Sequence, residues 1–194
     1  MPRRKAFDPD HALDRAMELF WQRGYDGASM SDLLEHMGIS RQSLYDTFGD
    51  KPQLFQQALD RYARRNVSAM LYELEQPDAG ADALRAFFRR LPDILLSFPE
   101  RRACLMVNTM VDRGPTADTT DVVAAHRMRL IRAFRAALFQ ASRQGLRLPM
   151  PPATLAAALV AQAMGITVAS RAGAPEAELR EMARAALVLA GVPD

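Results

Sequence analysis

Apolar positions recur at helical spacing from one end of the chain to the other, so the pattern predicts an all-α protein of about nine helices. Ala12, Leu13, Ala16, Leu19 and Phe20 form a broad stripe on a first helix from near Pro9 to Arg23, which Gly24 stops. Met30, Leu33, Leu34 and Met37 fall at i, i+3, i+4 and i+7 on a second. Ser29 caps that helix, with Asp32 at the capping-box position, and Gly38 ends it because glycine tolerates the left-handed conformation. Ser40 caps a third helix of about two turns that buries Leu44 and Phe48, and Ile39 stands where a hydrophobic staple to Leu44 would form. Arg41, Gln42, Ser43, Tyr45, Asp46 and Thr47 are left facing outward. Gly49 breaks the chain. Asp50 caps a fourth helix, with Pro52 in its first turn and Gln53 closing a capping box. Leu54, Phe55, Ala58, Leu59 and Tyr62 line its inner side. No breaker follows before Pro77, so this helix is expected to run as a strut to about residue 74.

Beyond a short linker at residues 77–80, Leu84, Phe87, Phe88, Leu91, Leu95 and Phe98 mark a helix over 81–98 that contains Pro92, where a kink is expected. Residues 101–112 read as a short, nearly all-apolar buried helix, ended by the break at Asp112-Arg113-Gly114-Pro115. A long helix follows over about 119–144, ended by Gly145. Two more span about 153–172 and 175–191, the first rich in alanine, the second with Leu179, Met182, Ala183, Ala186, Leu187 and Ala190 on one face. Apolar helices paired at a chain end close either the monomer's own core or a twofold interface.

Two short capped helices around a glycine turn are what a helix-turn-helix requires, with the second helix in the major groove. Arg41 and Gln42 suit bidentate contacts to base edges; Ser29, Ser40, Ser43, Tyr45 and Lys51 suit phosphate. The same pair also occurs in small helical domains that bind nothing, and spacing alone leaves both readings open.

The segments Leu19-Phe20-Trp21-Gln22-Arg23-Gly24-Tyr25, Ser29-Met30-Ser31-Asp32-Leu33-Leu34, Gly38-Ile39-Ser40, Leu44-Tyr45-Asp46-Thr47-Phe48-Gly49-Asp50-Lys51 and Leu54-Phe55 resemble, without gaps, the N-terminal domain of TetR-family transcriptional regulators. The resemblance implies a DNA-binding domain at 1–50 and a regulatory, ligand-binding and dimerisation domain at 51–194, joined by the helix at about 51–74. It implies that Lys51 meets phosphate, and that the helices at about 153–172 and 175–191 pair in a homodimer on a pseudo-palindromic double-stranded operator, with half-sites roughly 34 Å apart or a multiple of it. An unidentified small apolar effector would release such a repressor. Phe87, Phe88, Leu91, Met106, Met110, Met128 and Phe134 are its candidate contacts, with Asn108 as a polar anchor or a core residue bonded to backbone. Eleven methionines suit an adaptable pocket. Cys104-Leu105-Met106-Val107 resembles a C-L-x-V motif of a subgroup that includes redox- and electrophile-sensing repressors. Arg101 and Arg102 would lower the thiol pKa if they lie close; the other reading is a small buried apolar residue.

Charge changes this picture little. The formal net charge is +2, and residues 1–65 carry 10 basic and 10 acidic groups, so any DNA affinity must come from local arrangement. That neutrality is the one feature favouring a helical small-molecule sensor or carrier that does not use DNA. Arg3, Arg4 and Lys5 form a basic arm or a solvated tail. The single cysteine excludes an internal disulfide and suits a reducing cytoplasm. No apolar run reads as a membrane span or a signal peptide, so a soluble cytoplasmic protein is expected. His11, His36 and His126 show no metal-ligand spacing, and no phosphate loop or nucleophile elbow is present, so neither a cofactor nor an enzymatic reaction is expected.

Overall fold

The structure, a computed structural model, describes residues 7–113 and 120–192. The basic arm at 3–5, the Gly114-Pro115 break and the expected start of the long helix at 119 lie outside the described residues. Those described contain ten α-helical segments and no strand. They are α1 (Pro9–Gly27), α2 (Met30–Met37), α3 (Arg41–Phe48), α4 (Lys51–Tyr62), α5 (Ser68–Leu71), α6 (Ala81–Ser97), α7 (Leu105–Arg113), α8 (Thr120–Arg143), α9 (Pro152–Arg171) and α10 (Glu176–Leu189). A π-helical turn at Ala63–Val67 joins α4 to α5, so the two form one rod and the described chain has nine.

The N-terminal elements form where their caps put them. Asp8 accepts from the Asp10 amide at the start of α1. Gly24, at φ +70°, breaks the helical path just after Arg23, and a last turn continues to Gly27. Both capping boxes close: Ser29 with Asp32 ahead of α2, and Asp50 with Gln53 ahead of α4. Gly38 takes the left-handed conformation between α2 and α3. Gly49 sits at φ +80°, and a Cβ there would displace the capping Gln53 side chain, 1.6 Å away, so both the backbone and the cap favour glycine. Arg61 ties α4 to α1, with Nε 2.5 Å from Asp14 Oδ1, Nη2 2.8 Å from Asp14 Oδ2 and Nη1 2.8 Å from Asp10.

Three expectations are corrected. The strut does not continue as α-helix to residue 74, because the π turn intervenes and α5 ends at Leu71. The helix expected over 101–112 starts only at Leu105. Before it, Glu100, Arg101 and Ala103 hold φ of +55°, +51° and +59°, a conformation that costs residues with a Cβ roughly 1–2 kcal/mol each. Tertiary bonds hold this strap: Trp21 Nε1 donates to the Ala103 carbonyl at 2.8 Å, Asn108 Nδ2 to the Arg102 carbonyl at 2.6 Å, and Arg101 to the Ala174 carbonyl. Finally, α9 is long and apolar enough to cross a membrane by length and composition, with a mean hydropathy of 1.6. Here it packs between α8 and α10 and buries Leu155, Leu159, Val160 and Ile166.

One apolar cluster runs from Ala12 to Val192 through all of these elements. In it, α6 packs on α8, α9 and α10, while α1 packs on α2, α4 and α7.

Candidate functional site

The α2–turn–α3 unit is pinned from below. Leu33, Met37, Leu44 and Phe48 are buried, fixing both helices on the core shared with Phe20, Leu54 and Phe55. With Leu44 and Phe48 inward, α3 turns Arg41, Gln42, Tyr45 and Asp46 to solvent, Tyr45 at 47% exposure. Ser40 Oγ accepts the Ser43 amide at 3.1 Å and donates to Ser43 Oγ at 2.9 Å, so both hydroxyls serve the helix start. Gln42 Nε2 donates to Asp46 Oδ1 at 2.8 Å, a restraint that spacing alone did not suggest. Ser29 is held in its capping box, its hydroxyl 2.5 Å from Asp32 Oδ2. Lys51 stands at the first position of α4, with Nζ 4.3 Å from the Tyr25 ring centroid. That ring packs on Phe20 and Phe55, so a cation–π contact holds the ammonium at a helix N-terminus.

A cavity of about 600 Å³ opens behind this unit, between the α4–α5 rod and α6, α8 and α9. Phe87, Leu91 and Cys104 line it, as does Met17 of α1. The other candidate contacts lie elsewhere. Phe88, Met106 and Phe134 are fully buried in the core, where Phe134 packs edge-on against Phe87 at 5.0 Å. Met110 does not line the cavity, and Met128 points out at 42% exposure. Asn108 takes the backbone-bonded alternative through the Arg102 carbonyl, and the adjacent Thr109 Oγ donates to the Leu105 carbonyl at 2.9 Å. Lining residues that the sequence did not single out include Tyr62, Asn66, Met70, His126, Met164 and Thr167. One signal for His126 was present: it falls at i, i+4, i+7, i+8 and i+11 with Leu130, Ala133, Phe134 and Ala137, all buried.

The cavity's titratable groups are set by burial. Burial pushes the Cys104 thiol up, against hydrogen bonds from Tyr62 and from the Val107 and Met106 amides. The condition for a lowering by Arg101 and Arg102 is not met: Arg102 pairs with Glu18 at 3.5 Å, and Arg101 donates to the Ala174 carbonyl. Tyr62 is raised by its own burial and by Cys104. His126 is pushed down to about 4 by burial and by nearby Arg129, so its imidazole is neutral near pH 7. Among the described residues no group of three or more His, Cys, Asp or Glu side chains could hold a metal.

Trp21 connects the cavity to α1. Its ring meets Tyr62 at 5.0 Å and Phe98 at 4.7 Å, both edge-on, and both of those residues line the cavity. Arg65 lines it too and pairs with Asp14 of α1, whose carboxyl is held below its ordinary value by Arg61 first and by Arg65 as well.

Three N-terminal helices presenting the third outward, beside a helical bundle with a cavity of ligand size, define a helix-turn-helix protein. Residues 12–58 match the family described as "Bacterial regulatory proteins, tetR family". The chain is 33% identical over 193 residues to the HTH-type transcriptional repressor ComR of Escherichia coli K12, covering 96% of this chain and 90% of that one. It is 39% identical over 115 residues to the HTH-type transcriptional regulator YezE of Bacillus subtilis 168, a match that spans 59% of each chain. Among solved structures, a cysteine variant of the TetR family regulator CifR, complexed with a 26-bp double-strand operator DNA, superposes with a TM-score of 0.83. That match has 31% identity and covers 97% of this chain and 99% of that one. The chain belongs to the TetR family.

Proposed function

We propose that this protein is a homodimeric transcriptional repressor that binds a pseudo-palindromic double-stranded operator and leaves it when a small apolar effector enters the cavity. The single observation that carries the reading is the seating of α3: Leu44 and Phe48 anchor it while Arg41, Gln42 and Tyr45 stand in solvent on a two-turn rod. Residues up to about 50 form the DNA-binding unit and the remainder the regulatory unit. Arg41 and Gln42 read base edges. Lys51 and the Ser40, Ser43 and Tyr45 hydroxyls meet phosphate, with Ser29 in support at the start of α2. Repressor-named relatives, and the operator-bound CifR structure at 31% identity, support this assignment.

Dimerisation runs through α9 and α10. The outward side of α9 carries Thr154, Ala157, Ala161 and Val168, small or apolar groups that let a second helix approach closely. Val188, at 76% exposure, and Leu189 extend that surface on α10. Effector binding reaches the DNA through the two joints to α1: Trp21 on the strap and Arg65 on Asp14. A ligand that fits the cavity better in the DNA-incompetent state shifts Tyr62 and Phe98, and with them the spacing of the two recognition helices.

Selection of tight-binding duplexes from random DNA tests the assignment. The expected product is a palindromic consensus whose half-sites lie roughly 34 Å apart or a multiple of it. Recovery of DNA without a shared sequence would contradict it.

A further inference from the structure

The cavity's size, about 600 Å³, falls within the range of roughly 300–1,000 Å³ typical of small-molecule sites. Its walls are mostly apolar, with Met70, Phe87, Leu91, Leu95 and Met164 among them, and none of its described lining residues is a carboxylate. Arg65 and Arg90 stand at the rim with half-exposed side chains, Arg65 held by Asp14 and Arg90 by Glu73 at 2.6 Å. Further in, His126 lines the wall at 4% exposure. Its Nδ1 is buried and has no hydrogen-bond partner among the described residues. Burial and the neighbouring Arg129 keep the ring neutral. A buried ring nitrogen without a partner is costly, and a ligand that supplies the missing partner recovers that cost.

We propose that the cavity takes an uncharged, largely apolar molecule bearing one hydroxyl or carbonyl group, and that His126 recognises that group; this rests on the cavity being the effector site. A cation would meet guanidinium groups at the rim and find no counter-ion inside. A carboxylate carried past the rim would lose its water and meet no cationic side chain among the inner lining residues, whose polar groups Tyr62, Asn66, Cys104, His126 and Thr167 are uncharged. A plain hydrocarbon fills the space but leaves Nδ1 unpaired. A hydroxyl both donates and accepts, so it satisfies either tautomer of the ring.

The test is calorimetric titration of the full-length protein with four probes of one shape: 4-phenylphenol, biphenyl, protonated 4-phenylbenzylamine and biphenyl-4-carboxylate. The wild type binds 4-phenylphenol about tenfold or more tightly than the other three, the worth of one buried hydrogen bond. His126→Leu brings phenol and hydrocarbon to within about twofold, and His126→Gln, which restores a donor and an acceptor, recovers part of the difference. Equal binding of phenol and hydrocarbon by the wild type, or a preference that survives in His126→Leu, overturns the role of His126 and leaves the cavity as a ligand site. Failure of all four to bind a protein that still holds its selected operator overturns the cavity reading itself.

Discussion

The helix-turn-helix and the strap beside the cavity are built on opposite principles. From Ser29 to Gln53 every local preference agrees with the final structure: two capping boxes, one further N-cap at Ser40, and glycines where the chain turns left-handed. From Phe98 to Leu105 local preference is overruled. Three residues with a Cβ sit at positive φ, and bonds from Trp21, Asn108 and Arg101 keep them there. The π turn at Ala63–Val67, which also lines this cavity, is a second departure. The rigid unit is the one that must present a fixed surface to DNA. The strained unit depends on distant partners, because non-glycine residues at positive φ persist only while their surroundings hold them.

Cutting beneath the locally encoded unit should have the largest effect. Leu44→Ala removes the fully buried anchor of α3 and is expected to cost about 3 kcal/mol in urea unfolding. A loss under about 1 kcal/mol would mean that α3 is not seated on the core. The next effect belongs to the cavity. Folded His126 titrates at about 4 against an ordinary value of 6.5, so the folded state binds fewer protons. Its contribution to stability is complete above pH 6.5 and is lost as pH falls toward 4. Lowering the pH from 7.5 to 5 should cost the wild type about 2 kcal/mol more than His126→Leu, measured by urea unfolding of both proteins at the two pH values. Equal losses would show that the ring is not buried in its neutral form.

Smaller changes separate strain from local encoding. Glu100→Gly, at an exposed position of the strap, keeps its conformation without the penalty and should stabilise the protein by about 0.5 kcal/mol. Glycine in place of Ala83 in the first turn of α6 should destabilise by about 1 kcal/mol. Opposite signs in thermal melts would sharpen the contrast, and matching signs would break it. Ser40→Ala should cost about 1 kcal/mol through the lost α3 cap.

That contrast also explains what the sequence could reveal. Ser29 with Asp32, Gly38, Ser40, and Asp50 with Gln53 act within a few residues of their own positions, so α2, α3 and the start of α4 could be read directly, and the side chains offered to DNA followed. The cavity is assembled from residues as distant as Met17 and Thr167. Phe88, Met106 and Phe134 have the chemistry of a ligand pocket, but packing turns them into the core. Glu100, Arg101 and Ala103 carry no local sign of a left-handed path, since the bonds that hold the strap, to the Ala103 carbonyl and from the Arg101 side chain, come from partners up to 82 residues away. Length and apolarity likewise could not separate α9 from a membrane span; its packing between α8 and α10 supplies the context.

The most direct measurement is fluorescence anisotropy of the selected operator and a scrambled duplex, across a salt series, with Arg41→Ala and Lys51→Ala. Arg41→Ala should weaken operator binding by about 1–3 kcal/mol and leave scrambled DNA nearly unchanged. Lys51→Ala should weaken both duplexes alike and reduce the salt slope by about 1. Unchanged operator affinity in both variants would contradict the assignment of α3 and the start of α4 to DNA.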